Sequence, residues 1–211
     1  MRMHTRTLAI ETATEACSVA LYESGELIAH DHRVLGRGHA ERLVPMIAEL
    51  PDKGRASRIV ASLGPGSFTG VRIGLATARA LGFAWGAEVL GYPTLALIAA
   101  RARKEGHAAV TVCMNGGHGE WFVQNFDADG SSSALSSLSP EAALASGVLP
   151  VIAGNRAQEF ADLLGDGRTA MDLLPDARFT ADLADDALIT DMSPIYGRAP
   201  DATPQKSRAL K

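Results

Sequence analysis

The chain has 211 residues, 46% apolar and 21% charged, with 24 acidic against 20 basic side chains and a formal charge of −4. That balance excludes a disordered chain, which lacks the apolar area to offset its ordering entropy, and a strongly basic nucleic-acid binder, whose phosphate contacts need clustered Lys and Arg. Two cysteines, Cys17 and Cys113, are too few for a disulfide framework and fit a reducing cytoplasm.

The first apolar run ends at Glu11, too soon for a signal-peptide core. Later runs are broken by Arg79, Glu88 and Arg101, short of the roughly 18 residues that span a bilayer. Thr7–Ile10, Cys17–Leu21 and Leu27–Val34 are short apolar runs with polar breaks, which predicts three strands joined by hairpins. His39–Leu50 places Leu43, Met46, Ile47 and Leu50 at helical spacing, and Pro45 inside it predicts a kink or a late start. Ile59–Leu63 predicts a buried strand, Gly70–Gly86 a long helix, Val89–Tyr92 a strand, and Thr94–Lys104 a helix opened by a Thr cap after Pro93. This β-β-β-α-β-α-β-α order implies a mixed sheet with helices on its faces.

The second half opens the same way. Ala109–Met114, Trp121–Phe126 and Ala134–Leu138 read as strands, Pro140–Ala145 as a helix, Val148–Ala153 as a strand and Ala157–Leu164 as a helix. The expectation is two topologically similar lobes, residues 1–105 and a shorter 106–200, followed by a loose polar tail over 201–211.

Two turns could hold an anion. Glu11-Thr12-Ala13-Thr14 can aim amides and hydroxyls at a phosphate, with Glu11 reaching magnesium through water, or it is an ordinary polar hairpin turn. Gly64-Pro65-Gly66-Ser67-Phe68-Thr69-Gly70 leads into a helix N-terminus, where unpaired amides favour an anion. It lacks the Gly-Lys-Ser/Thr ending of a Walker loop and the spacing of a dinucleotide fingerprint, and is otherwise a tight turn capped by Ser67 or Thr69.

In the following helix, Gly70, Gly74, Ala78, Gly82 and Gly86 recur every four residues and line one edge almost free of side chain. Interior glycine costs about 1 kcal/mol against alanine, so Gly74 and Gly82 need a compensating contact. Either the edge lies on the chain's own sheet, or Val71, Leu75 and Phe83 face the sheet and the glycine edge receives a partner. The second geometry predicts an interface. His39 has leucine, not histidine, four residues on, so a cap or surface role is expected rather than a metal site. His30 and His32 share a strand face, and His118 sits in a Gly-rich turn. No Ser/His/Asp set or zinc helix can be assembled, which leaves a peptidase without chemistry.

Four strings carry a resemblance: Ala9-Ile10-Glu11-Thr12-Ala13-Thr14, His39-Ala40-Glu41-Arg42-Leu43-Val44-Pro45, Gly64–Gly74, and Pro194-Ile195-Tyr196-Gly197-Arg198-Ala199-Pro200. Together they resemble the TsaB (YeaZ) family from near residue 7 to near 200. The resemblance implies an α/β fold of the acetate-kinase/sugar-kinase/Hsp70 (ASKHA) type, with two ribonuclease-H-like lobes of mixed sheets flanked by helices. It implies a non-catalytic subunit in the making of N6-threonylcarbamoyladenosine at adenosine 37 of tRNA, without a cofactor of its own. The implied partners are a TsaD-like transferase, a TsaE-like ATPase and, through the complex, tRNA. The implied contact uses the two N-lobe helices, with His39, Arg42, Leu43 and Met46 on the first and Gly70, Ile73, Gly74, Thr77, Ala78, Leu81, Gly82 and Trp85 on the second. TsaD-like enzymes hold a metal with a His-x-x-x-His pair, which Leu43 breaks. The Asn115–Glu120 turn departs from the family's Asp-Ala-Arg string, and Gly197 stands where a bulkier residue is usual.

The alternative function is a small phosphotransferase or ATPase that binds ATP or ADP weakly with magnesium through Glu11, Thr12, Thr14, Gly66 and Ser67, although no base or lysine clamp can be named. A sticky helical face can also pair with a second copy of the chain as a homodimer.

Overall fold

The computed structural model describes residues 5–165 and 167–198. Its first sheet begins with β1 (Arg6–Glu11), β2 (Ala16–Glu23) and β3 (Glu26–Val34). α1 (His39–Glu49), β4 (Arg58–Ser62), α2 (Phe68–Trp85), β5 (Glu88–Tyr92) and α3 (Thr94–Lys104) follow. β1 to β3 form an antiparallel meander, and β4 and β5 add in parallel on the β1 side, in the order β3-β2-β1-β4-β5.

The second sheet repeats the plan with β6 (Val110–Gly117), β7 (Glu120–Phe126), β8 (Ser136–Leu138), α4 (Pro140–Leu144), β9 (Val151–Ala153), α5 (Ala157–Leu164) and β10 (Thr169–Met171). Its order, β10-β9-β6-β7-β8, is that of the first sheet read from the other edge, with the same pairing directions. Two mixed sheets of one topology, each flanked by helices, make this an ASKHA-type α/β fold.

Strand periodicity assigns the faces of the first sheet. Leu8 and Ile10 of β1 and Cys17, Val19 and Leu21 of β2 point to one side, where they meet Leu43, Met46 and Ile47 of α1 and Val71, Leu75 and Ala78 of α2. Ala9, Ala20 and Tyr22 point to the other, against Val60, Leu90, Tyr92 and Ala177. α3 lies between the sheets. Its Leu97 joins the first sheet's far face, while Leu95, Ile98 and Ala102 cover Val110, Val112 and Phe122 of the second. α5 closes the second sheet's other face, with Phe160 against Trp121 at a ring separation of 5.2 Å.

Several expectations change. α1 starts at His39 with no delay, and Pro45 lies on its exposed side, where water can satisfy the carbonyl that proline leaves unpaired. Thr94 does not cap α3. Pro93 holds the cap position without a side-chain bond, and the Thr94 hydroxyl pairs with Ser62 Oγ at 2.6 Å. The chain beyond β10 was not anticipated. A 3-10 helix at Ala177–Asp182 returns to the first sheet, where Ala177 N donates to Ser18 Oγ (2.9 Å) and Tyr22 OH donates to Ala177 O (3.0 Å). Ile189 then bridges Gly91, and Ile195 N donates to Leu63 O. Residues 177–195, placed above in the second lobe, therefore pack on the first sheet. The tail 201–211 lies outside the described residues. No described helix is long and apolar enough to cross a membrane.

Candidate functional site

The β1–β2 turn is sealed, not open to a phosphate. Glu11 is fully buried, with Oε1 accepting from Ala13 N at 2.7 Å and Oε2 lying 3.2 Å from Tyr92 OH. Burial pushes this carboxyl up to about 7, against the opposing effect of the Ala13 amide and the Ser62 and Tyr92 hydroxyls. Tyr92 OH also lies 3.0 Å from Ile10 O. One hydroxyl hydrogen cannot serve both oxygens fully. The Tyr92 hydroxyl hydrogen is therefore shared between Glu11 Oε2 and the Ile10 carbonyl.

Thr12, 1% exposed, spends its hydroxyl on Gly70 O at 2.8 Å. Thr14 Oγ1 accepts from Ala16 N. The magnesium and phosphate contacts expected of Glu11 and Thr12 are thus corrected: both side chains are consumed inside the fold, and they do not fit an ATP–magnesium site. Among the described residues no group of three or more His, Cys, Asp or Glu is placed to hold a metal.

The Gly64–Gly70 loop is built around that turn. Ser67 N donates to Ala13 O at 2.6 Å, and Ser67 Oγ caps α2 by accepting from Gly70 N. A methyl on Gly66 would run into Ala13 O, and one on Gly70 into Thr12 O. These glycines let the helix start rest directly on the β1–β2 turn. The second sheet repeats the device. A methyl on Gly154, after β9, would meet Cys113 O within β6, and Asn155 Oδ1 accepts from Asn115 N. Asn155 Nδ2 also donates to Glu15 Oε1 at 3.0 Å, so the two turn systems are tied together.

The glycine edge of α2 is corrected in the same way. Gly70, Gly74, Ala78 and Gly82 are buried against the chain's own sheet. A methyl at Gly74 would strike Thr12 Oγ1, with Ile10 Cγ2 at 3.7 Å, and one at Gly82 would strike Val89. These contacts supply the compensation that interior glycine needs. Phe83, expected on the sheet, is 93% exposed instead. On α1, Leu43 and Met46 are buried in the core. His39 is buried too, with Nε2 3.1 Å from Ala16 O; it is neither a cap nor a surface group, since Gly38 holds the cap position. Leu43, Met46, Gly74, Ala78 and Gly82 are closed off from solvent, whereas His39 and Gly70, though buried, border the cleft between the starts of α1 and α2. His32 lies beside Asp176, and His30 beside Arg178.

What α2 turns to solvent is a different stripe. Ala76, Ala80, Phe83 and Ala84 are exposed, and Ile73, Thr77, Leu81 and Trp85 are half-buried beside them. The two charges on the exposed side are drawn away: Arg72 donates to Tyr196 OH (3.1 Å) and Arg79 to Met192 O (3.0 Å). Ile73 shares a cleft with Gly36–Glu41 at the start of α1, whose own outer side carries exposed Arg42 and Val44. A solvent-facing helix is normally polar on its outer side, and this one is not.

Two topologically equivalent sheets joined by paired turn-and-helix devices define an ASKHA-type protein. Residues 32–159 match the family model described as TsaD, tRNA N6-adenosine threonylcarbamoyltransferase. The chain is 41% identical over 132 residues to the tRNA threonylcarbamoyladenosine biosynthesis protein TsaB of Escherichia coli, covering 59% of this chain and 56% of that protein. It is 44% identical over 111 residues to TsaB of Haemophilus influenzae, covering 50% and 46%. The chain spans about half the length of the curated relatives it matches. The structure of YeaZ from Pseudomonas aeruginosa superposes with a TM-score of 0.75 at 29% identity, over 91% of this chain and 99% of that one. The chain belongs to the TsaB (YeaZ) family.

Proposed function

We propose that this chain is a supporting, non-catalytic subunit in the synthesis of N6-threonylcarbamoyladenosine in tRNA, binding a TsaD-like transferase through the outer faces of α1 and α2. The observation that carries the contact is the apolar solvent face of α2, with Phe83 almost fully exposed beside Ala76, Ala80 and Ala84. Alanines on an outer face let another backbone come close, and an exposed aromatic supplies the area that a partner buries. Ile73, Thr77, Leu81 and Trp85 extend that face toward α1, where Arg42 sits. The names of the relatives support the pathway.

A non-catalytic role is supported by how the catalytic-looking positions are spent. Leu43 fills the core where a TsaD-like enzyme has its second histidine, His39 is turned to a backbone carbonyl, and Glu11 and Thr12 are sealed. The ATPase alternative is weakened at Glu11 and Thr12, whose side chains are bonded inside the fold. A TsaE-like ATPase and tRNA join through the transferase in this proposal. The test is reconstituted threonylcarbamoylation from purified components with this chain added or omitted. Modification that depends on the chain, with no turnover by the chain alone, is expected. Equal modification without it overturns the assignment.

A further inference from the structure

The charges around the outer faces of α1 and α2 are arranged unlike those on the rest of the chain. Elsewhere carboxylates hold cations at close range, as in Arg6–Glu23 (2.8 Å), Arg58–Glu88 (2.7 Å), Lys104–Asp182 (2.9 Å) and Arg178–Asp176 (2.8 Å). Arg37, Arg42, Arg72 and Arg79 are all exposed, and among the described residues none of them has a carboxylate in an ion pair. Arg72 donates to the Tyr196 hydroxyl and Arg79 to the Met192 carbonyl, which fixes the two guanidiniums without neutralising them. Each keeps further N–H donors to offer.

Few acids stand nearby. α2 contains no Asp or Glu. On the outer side of α1, Glu49 is held by Arg33 at 3.0 Å, which leaves Glu41. Asp191 interacts with Arg79 electrostatically, but its carboxylate accepts from Ser193 N at 2.9 Å instead of forming an ion pair. A chain with four more acids than bases thus turns positive on one face.

Both helices pack on the same side of the first sheet, so their outer sides point the same way. Arg37 lines the cleft of about 450 Å³ between their starts, and Arg42 stands on α1. Arg72 and Arg79 stand on the far flank of α2. Between the two pairs lie Ala76, Ala80, Phe83 and Ala84. An apolar centre with a charged rim is the anatomy of a protein interface, and a planar guanidinium matches a carboxylate through two hydrogen bonds. RNA fits less well, because its phosphates need a continuous row of cations and the alanines interrupt one.

We infer that the transferase partner meets this face with an acidic rim of its own, its carboxylates pairing with Arg37 and Arg42 on one side and Arg72 and Arg79 on the other. This rests on the docking face proposed above and adds the partner's chemistry. Opposite charges at a rim act mainly on the rate of encounter, which salt slows.

The test is stopped-flow association of the full chain with the purified TsaD-like transferase at about 50 and 500 mM salt. Parent association should slow roughly tenfold across that range. The double variant Arg42→Glu, Arg79→Glu should associate at least about tenfold more slowly at low salt, with dissociation within about threefold, while Arg42→Lys, Arg79→Lys stays near the parent. Both positions are exposed, thermal melts check the fold, and Arg42→Glu alone serves if the double variant melts early. Ala80→Arg separates the two readings. If it abolishes the complex while association is indifferent to salt and to the Glu variants, the docking face stands and the acidic rim is overturned. If the parent does not associate at all, both fall. Faster association by the Glu variants shows a basic partner and also overturns the inference, as does a labelled RNA that binds through these arginines while transferase association is unchanged by their reversal.

Discussion

Glu11→Gln gives the sharpest check on the sealed turn. The ordinary value of this carboxyl is 4.5, and burial raises it to about 7 in the folded chain. A raised carboxyl favours the folded state only while protonated. Its contribution is fully present below pH 4.5 and is lost as pH rises through 7. Linkage over that 2.5-unit difference gives a loss of roughly 3 kcal/mol by pH 8, of which less than about 1 kcal/mol has accrued by pH 5. Glutamine keeps an oxygen for Ala13 N and an amide hydrogen for Tyr92 Oη, and has no charge to bury. Urea denaturation of parent and variant at pH 5 and pH 8 measures the difference. The variant's advantage should grow by about 2.5 kcal/mol between the two. An advantage that does not change with pH, or a variant that is worse at pH 8, would mean that burial does not raise Glu11 in the fold, and the case against a magnesium role would fail.

Other consequences are simpler. Gly74→Ala forces a methyl onto Thr12 and should cost about 1–3 kcal/mol of clash, only partly offset by about 1 kcal/mol of helix propensity, whereas Phe83→Ser should stay within about 0.5 kcal/mol; paired thermal melts compare them. His39→Ala leaves the buried Ala16 carbonyl unpaired and should destabilise by roughly 1–3 kcal/mol in the same assay. Cys17 and Cys113 are buried free thiols, and burial pushes Cys17 up to about 12 and Cys113 higher still. An aromatic disulfide reagent at pH 8 should leave both untouched in the folded chain and titrate both after denaturation.

The element order was legible because each hairpin strand is bounded by polar or glycine breaks and each long helix by a periodic apolar face. The Ala9/Ile10 and Ala20/Leu21 alternations carry the strand faces. Short pieces were not: β10 has three residues, and the 3-10 helix at Ala177–Asp182 has no period to read. The orientation of α2 was the main error. A four-residue glycine stripe states that something comes close, but not what. Here it is the Thr12 turn and Val89 of β5, and the consequence is that Phe83 must face outward. A helix with glycine on its sheet side can lie low on that sheet, which leaves alanines and an aromatic as its outer surface. Glu11 and Thr12 misled for a related reason: a short polar turn motif looks the same whether its groups face solvent or cap the neighbouring helix. The hydroxyl that closes over Glu11, that of Tyr92, is 81 residues away in sequence.

The central claim is that the outer face of α2, not its glycine edge, meets the transferase. Co-purification of the purified TsaD-like protein with Ala80→Arg and Phe83→Asp variants, both at exposed positions, tests it most directly. The account predicts that each variant folds with the parent's melting temperature and loses the complex. A complex formed at full yield by both variants would contradict it.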